Sequence, residues 1–154
     1  MTKPEIAGNY FDNNFNCSQS VLAAFAPDLG ISLNDSLKVS CAFGGGMGKQ
    51  QLTCGAVTGA LMVLGLKFGK ALDDNDEKKQ ETYALTRKFC DAFKDKFGSM
   101  NCLELLQNLD MNDPADNALI HDLGLHESHC TRFVKEAVEL VELISTEHDQ
   151  KTMV

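Results

Sequence analysis

The sequence predicts an all-α protein, folded as an irregular or orthogonal bundle of about five to six helices. Apolar residues recur every three to four positions along several segments, the spacing of a helix with one buried face. No segment shows the sustained alternation and β-branched enrichment of a strand. The chain has 154 residues, of which 44% are hydrophobic and 23% charged, enough to form a core of its own. We therefore expect residues 1–154 to form a single helical domain.

Five helices and one short helical segment follow from these patterns. They cover about residues 14–26, 34–43, 54–68, 76–97 and 127–144, with a short helix within 99–109. Asn13 or Asn14 can cap the first helix, and Asn34 or Asp35 the second, because their side chains accept hydrogen bonds from free backbone amides. The sequence Pro27–Gly30 is expected to end the first helix.

Three consecutive glycines, Gly44–Gly46, interrupt the helical pattern and permit backbone conformations that other residues resist. Thr53 is a candidate cap for the helix that follows, and Gly69 ends it. Within this helix, Gly55 and Gly59 recur at a spacing that lets another helix backbone approach closely. We therefore expect this helix at the centre of the fold.

The second half of the chain follows a charged connector. Its long helix carries Tyr83 and Phe93 near one apolar stripe. A turn and a short helix contain Cys102, and residues 110–117 are predicted to be a loop or turn. In the last helix, Cys130 shares its inward face with apolar residues three and four positions further on.

Composition and charge exclude several classes of function. The formal net charge of -8 argues against nucleic acid or an anionic membrane as the main partner. The N-terminal residues lack the pattern of a secretory signal. The longest apolar stretch, residues 56–66, is far shorter than the roughly 20 residues of a membrane span. We therefore expect a cytoplasmic protein, where cysteines are more often metal-binding or catalytic than disulfide-bonded.

Four cysteine-containing segments carry a resemblance to a known family. The stretch Cys54–Gly59, Cys-Gly-Ala-Val-Thr-Gly, follows the glycine-rich loop Gly44–Gly48 and resembles the signature of the C_GCAxxG_C_C family, whose members are described as redox-active. Asn16–Val21 resembles the first cysteine segment of that family, and Cys102 and Cys130 match its third and fourth cysteines. The resemblance covers nearly the whole chain, although the usual Gly-Cys-Ala order appears here as Cys-Gly-Ala.

The resemblance implies one site formed by Cys17, Cys54, Cys102 and Cys130. A related domain occurs in split-Soret cytochromes c, whose equivalent cysteines are assigned to an iron–sulfur cluster. The implied function is electron transfer with a redox partner protein through an iron–sulfur cluster, expected to be [2Fe–2S], since four thiolates are the usual ligands. The residues agree in one respect: Cys54 lies at a predicted helix start, where free backbone amides favour a thiolate.

The spacing of the cysteines leaves other functions open. Intervals of tens of residues and the absence of a Cys-x-x-Cys pair do not by themselves separate ligands from buried thiols. A metal-free dithiol–disulfide protein and a zinc-binding or structural helical module are the alternatives. Cys41 and Cys90 have no counterpart in the family pattern and are predicted to be core residues.

The histidines and the central helix carry two further predictions. His126 and His129, beside Cys130, can ligate a metal, although such a pair on a surface turn is more often solvated. A homodimer is expected if the glycine-bearing helix leaves a face exposed. The sequence does not identify a substrate, so it does not decide whether the protein is an enzyme.

Overall fold

The computed structural model describes residues 1–153, and within them the chain forms eight α-helices joined by short turns. The helices are α1 (Lys3–Asp12), α2 (Cys17–Leu29), α3 (Leu33–Cys41), α4 (Gly55–Phe68), α5 (Asp76–Phe97), α6 (Cys102–Leu105), α7 (Pro114–Asp122) and α8 (Thr131–Thr152). Gly44–Met47 forms one turn with left-handed residues inside it, and His126–Cys130 is a π-helical turn that leads directly into α8. The all-α prediction is confirmed, with more helices than expected.

Helices α1 and α7 were not predicted, although both carry recognisable starts. Thr2 and Glu5 form a reciprocal capping box at the start of α1, with a proline in its first turn. The Asp113 carboxylate accepts a hydrogen bond from the Asp116 backbone amide, with Pro114 as the first helical residue of α7. The segment predicted as loop or turn up to residue 117 therefore already contains the first turn of a helix.

The start and end of α2 differ from the prediction for local reasons. Asn14 has a left-handed φ of 72° and cannot begin a right-handed helix. Asn16 caps α2 instead, since its Oδ1 accepts from the Gln19 amide and Gln19 Oε1 accepts from the Asn16 amide, each at 3.0 Å. The helix continues through Pro27 and ends at Gly30, which adopts the left-handed conformation.

Three other predicted features need correction. Ser32, rather than Asn34 or Asp35, caps α3 through a hydrogen bond from the Asp35 amide. Helix α8 runs to Thr152, well past residue 144, and its last turns contact α5 through Glu147 with Lys88 and His148 with Glu81. Tyr83 is 51% exposed. The buried face of α5 is formed instead by Leu85, Phe89 and Phe93.

Helix α4 lies at the centre of the fold, as predicted, and the helix that packs closely against it is α2. A Cβ placed on Gly59 would lie 2.8 Å from the Ser18 carbonyl oxygen, and one on Gly55 would lie 3.0 Å from the Ser18 amide nitrogen. The two glycines therefore allow backbone-to-backbone contact between the helices. Because α2 covers this glycine face, it is not available as a dimer surface, and the oligomeric state stays a prediction.

The core has two parts that meet at one place. The larger cluster lies between α1, α2, α4, α5 and α8. The smaller one contains Cys102, Leu106, Ile120, Leu125 and Cys130. Cys17 and Phe11 pack against both. None of the helices in the described residues combines the length and apolarity needed to cross a membrane.

Candidate functional site

A cavity of about 430 Å³ lies where the two core clusters meet, and all four predicted site cysteines line it. Cys17 is the first residue of α2, Cys54 directly precedes α4, and Cys102 begins α6. Cys130 ends the π-helical turn before α8. The fold thus brings together four thiols that are far apart in sequence, each from a different element.

A short pairing of two chain segments places Cys54 beside Cys102. The Cys54 amide donates to the Met100 carbonyl at 2.8 Å, and the Cys102 amide donates to the Leu52 carbonyl at 2.6 Å. Between these bonds lies an isolated antiparallel bridge that joins Thr53 to Asn101. These backbone hydrogen bonds hold the two cysteines on neighbouring, paired segments of the chain, each at the start of a helix.

Cys17 reaches the cavity through the packing of α2 on α4. A Cβ on Gly55 would lie 3.1 Å from the Cys17 Cβ, so the glycine lets Cys17 approach the residue after Cys54. The preceding Asn16 donates a hydrogen bond from Nδ2 to the Cys41 carbonyl at 2.9 Å. Its side chain also occupies the space next to Gly44, where a Cβ would overlap it at 2.4 Å.

The glycine-rich turn closes over Cys102 in an unusual conformation. Five consecutive residues from Gly45 to Lys49 have φ between 61° and 70°, the left-handed region. A Cβ on Gly46 would lie 2.7 Å from the Gln51 Cα and 2.8 Å from the Cys102 Cβ. Glycine is therefore needed there for two reasons, the backbone conformation and the closeness of Cys102.

Gln51 ties this turn to the segment before α7. Its Nε2 donates to the Leu109 carbonyl at 2.9 Å, and its Oε1 accepts from the Met111 amide at 2.8 Å. Asn112 adds a bond from Nδ2 to the Lys49 carbonyl at 2.7 Å. The left-handed turn is thus held in place by contacts to a distant part of the chain.

Cys130 has the most activated thiol of the four. The neighbouring Cys17 thiol and the His126 imidazole stabilise its thiolate and lower its pKa to about 6, although burial opposes them. The Cys130 Sγ lies 3.6 Å from His126 Nδ1, and the same contact raises the pKa of His126. The contact with Cys130 raises the pKa of Cys17 in turn, and burial adds to this.

The other two thiols are held in the neutral form. Burial raises the pKa of Cys54 to about 12, although the backbone amides of Ala56 and Val57 act in the opposite direction. Burial also raises the pKa of Cys102 to about 12, and nearby Cys54 and Cys130 add to this effect. The helix start at Cys54 does favour the thiolate, as expected, but desolvation outweighs it in the metal-free protein.

The remaining cysteines and histidines separate into those near the cavity and those away from it. His126 lines the cavity. His129 does not; its Nδ1 is 2.8 Å from the Ser128 Oγ. Cys90 packs half-buried against the larger core cluster, consistent with a core role. Cys41 is exposed, so its predicted core position is wrong.

Polar residues that the sequence analysis did not single out also line the cavity. They are Asn14, Asn16, Lys49, Asn117 and His121. Lys49 could have been suspected from its place directly after the glycine-rich loop. Within residues 1–153, no three His, Cys, Asp or Glu side chains are grouped so that they could hold one metal ion.

Comparison with known proteins places the chain in a family. A protein of Archaeoglobus fulgidus, titled "Uncharacterized protein", is 30% identical over 144 residues, which cover 89% of this chain and 87% of the relative. No solved structure matches the chain significantly. The family described as "Putative redox-active protein (C_GCAxxG_C_C)" matches residues 15–144, a range that includes all four cavity cysteines, and the chain belongs to this family.

Proposed function

We propose that this is a redox protein in which Cys17, Cys54, Cys102 and Cys130 bind an iron–sulfur cluster and exchange electrons with a partner protein. The observation that carries the proposal is the convergence of these four thiols on one cavity. Four thiols are the donor set of [2Fe–2S] and [4Fe–4S] clusters, in which each iron takes two cysteines or one. Such a cluster needs four thiols around a shared space rather than three donors around one ion, and the four cysteines that line this cavity fit that requirement. We expect the [2Fe–2S] form.

The number of thiols favours a cluster over a simple disulfide. A disulfide uses two sulfurs, whereas the fold brings four to the same cavity. In the metal-free protein, three of these thiols have raised pKa values because they are buried near one another. The positive charge of bound iron would favour the thiolate form of all four cysteines. The iron would also supply a centre that accepts and releases one electron.

Residues next to the thiols have defined roles in this proposal. The amides of Ala56 and Val57 act on the Cys54 sulfur and stabilise its thiolate. The His126 imidazole does the same for Cys130. Gly46 leaves the space beside Cys102 free, because a side chain there would overlap the Cys102 Cβ. Hydrogen bonds to sulfur and burial are the means by which a protein sets the potential of such a site.

Anaerobic reconstitution tests the proposal directly. The protein is reduced, incubated with iron and sulfide without oxygen, desalted and analysed for iron, acid-labile sulfide and visible absorption. We expect stoichiometric iron and sulfide in the native protein and in Cys41→Ser, whose exposed thiol lies outside the cavity, but a loss in Cys102→Ser. A colourless protein without iron would contradict the proposal, and stoichiometric zinc in its place would support the zinc alternative.

A metal-free dithiol function is the second candidate, favoured by the contact between Cys17 and Cys130. The lowered pKa of Cys130 makes it the nucleophile, and the Cys17 thiol beside it is the partner. Forming their disulfide releases two protons and two electrons to a disulfide oxidant. Thiol trapping after mild oxidation with oxidised glutathione should then show both thiols lost together, and no loss in Cys17→Ser. A native protein that keeps all its thiols free excludes this function.

A further inference from the structure

The charge of the cavity differs from that of the rest of the molecule. The chain carries 22 acidic and 14 basic residues, yet within residues 1–153 no aspartate or glutamate lines the cavity. Its lining includes the basic residues Lys49, His121 and His126. These basic side chains can attract a small anion, and among the described lining residues the Cys130 thiolate is the negative group that opposes them.

Lys49 is positioned at the cavity by the strained turn. It adopts a φ of 64°, a conformation that costs a non-glycine residue free energy and is often found at functional sites. Gly45 makes room for its side chain, since a Cβ there would lie 2.9 Å from the Lys49 Cγ. Asn112 holds its carbonyl group. Among the described residues, no carboxylate forms a salt bridge with Lys49.

The other walls of the cavity are mostly apolar. Phe11, Phe15, Met111, Phe133 and two leucines contribute to these walls. Met111 lies close to Lys49, since a Cβ on Gly45 would be 3.4 Å from the Met111 Sδ and 2.9 Å from the Lys49 Cγ. A cavity of about 430 Å³ lies within the range of small-molecule sites, roughly 300–1,000 Å³. Apolar walls with a few polar groups suit a ligand that has one charged group and an apolar body.

We propose that the cavity binds a small organic anion, with its carboxylate at Lys49 and its apolar body against Met111 and the other apolar walls, beside the four thiols. The inference rests on the proposed function in one respect: the thiol site is taken as the reactive group next to the ligand. The protein would then hold a small molecule next to its redox site, besides passing electrons to a partner. Lys49 is the binding residue that distinguishes this role from that of a simple electron carrier.

Isothermal titration of the native chain with benzoate tests the inference, with benzyl alcohol as the neutral counterpart and inorganic phosphate as the anion without an apolar body. Titrations are made on the reduced metal-free protein and on the anaerobically reconstituted protein. We expect benzoate to bind and both other probes to bind more weakly. Lys49→Met should weaken benzoate binding about fivefold, because it removes a charge-assisted hydrogen bond at an exposed position, where solvent limits its contribution.

Two matched variants show whether the effect belongs to Lys49. Lys49→Arg keeps the charge and should retain most of the affinity, and Lys38→Met removes an exposed lysine of α3 outside the cavity and should change nothing. The inference is overturned if benzoate does not bind at millimolar concentration, if Lys49→Met binds it as the native chain does, or if either other probe binds equally well.

The iron content separates this inference from the proposed function. If the native chain binds benzoate through Lys49 but takes up no iron, the cluster proposal fails and the anion site stands. If Lys49→Met loses the cluster together with benzoate binding, Lys49 serves as a counter-charge of the thiol site, and the anion site is overturned. Equal iron and sulfide in Lys49→Met and native protein, with weaker benzoate binding, supports the inference.

Discussion

Replacement of Gly46 by alanine tests the closure of the glycine-rich turn over the thiol site. Gly46 has a φ of 70°, and a Cβ there would lie 2.7 Å from both the Gln51 Cα and the Leu52 amide nitrogen. These two atoms belong to the backbone and cannot rotate away. The Cys102 Cβ, at 2.8 Å, is a third obstacle. The substitution must therefore move either the turn or the segment that pairs with Cys102.

The expected cost has two parts. Placing an alanine in the left-handed region costs about 1–2 kcal/mol. Overpacking in a tight region adds about 1–3 kcal/mol, so Gly46→Ala should lower the free energy of unfolding by about 2–5 kcal/mol. Gly30→Ala is the matched control, because Gly30 has the same φ of 70° and nothing within 4 Å of an added Cβ. It should cost only the first part, about 1–2 kcal/mol.

Equilibrium urea unfolding of the reduced, metal-free protein measures both values. With a slope of about 1–3 kcal/mol per molar urea, the midpoint of Gly46→Ala should fall clearly below that of Gly30→Ala. Because the added methyl group faces Cys102, Gly46→Ala should also take up less iron on reconstitution, whereas Gly30→Ala should match the native protein. Equal stabilities for the two variants would refute the account of the turn as a closely packed wall of the site.

Two further predictions concern the activated thiol and the central helix pair. In the metal-free protein, the alkylation rate of Cys130 should rise with pH around a midpoint of about 6, and His126→Gln should move this midpoint upward towards the ordinary thiol value of about 8.5. Mass spectrometry of the alkylated peptide measures the alkylation rate. The control variant His129→Gln should shift the pH midpoint less than His126→Gln does. An unchanged midpoint in His126→Gln would contradict the contact between His126 and Cys130. In α4, Gly59→Ala should destabilise by about 1–3 kcal/mol, since its Cβ would meet α2. Gly65→Ala, with open space around the added Cβ, should stabilise the protein by about 0.5–1 kcal/mol. If thermal unfolding showed both variants to be stabilised, or both to be destabilised, the described packing of α4 on α2 would be contradicted.

Local signals in the sequence were sufficient for the class of fold and for much of the helix pattern. The apolar periodicity of α2 and α8 and the glycine spacing of α4 predicted which faces are buried. The starts of α1 and α7 were equally local, since Thr2 with Glu5 and Asp113 with Pro114 form ordinary capping patterns. They were missed because short polar helices have little apolar periodicity.

The site itself depends on contacts that local patterns do not contain. The bonds from Cys54 to Met100 and from Cys102 to Leu52 join segments about fifty residues apart. The sequence therefore predicted the grouping of the four cysteines through the family resemblance rather than through spacing. The protonation of Cys54 shows the same limit, because the helix start is visible in the sequence whereas burial is set by the whole fold.

Lys49 illustrates a residue whose role depends on backbone conformation. In the sequence it is one lysine after a glycine-rich loop, with no motif around it. In the structure, a run of left-handed residues and the bond from Asn112 bring it to the rim of the thiol cavity. Such a turn depends on tertiary hydrogen bonds, which a single sequence does not reveal.

The central claim is that four cysteines act as one redox site, and the iron content of single cysteine variants tests it most directly. Each of the six cysteines is replaced by serine, and every protein is reconstituted anaerobically and analysed for iron and acid-labile sulfide. The account predicts that replacing Cys17, Cys54, Cys102 or Cys130 lowers both, whereas Cys41→Ser and Cys90→Ser match the native protein. Equal iron in all six variants, or none in the native chain, would contradict it.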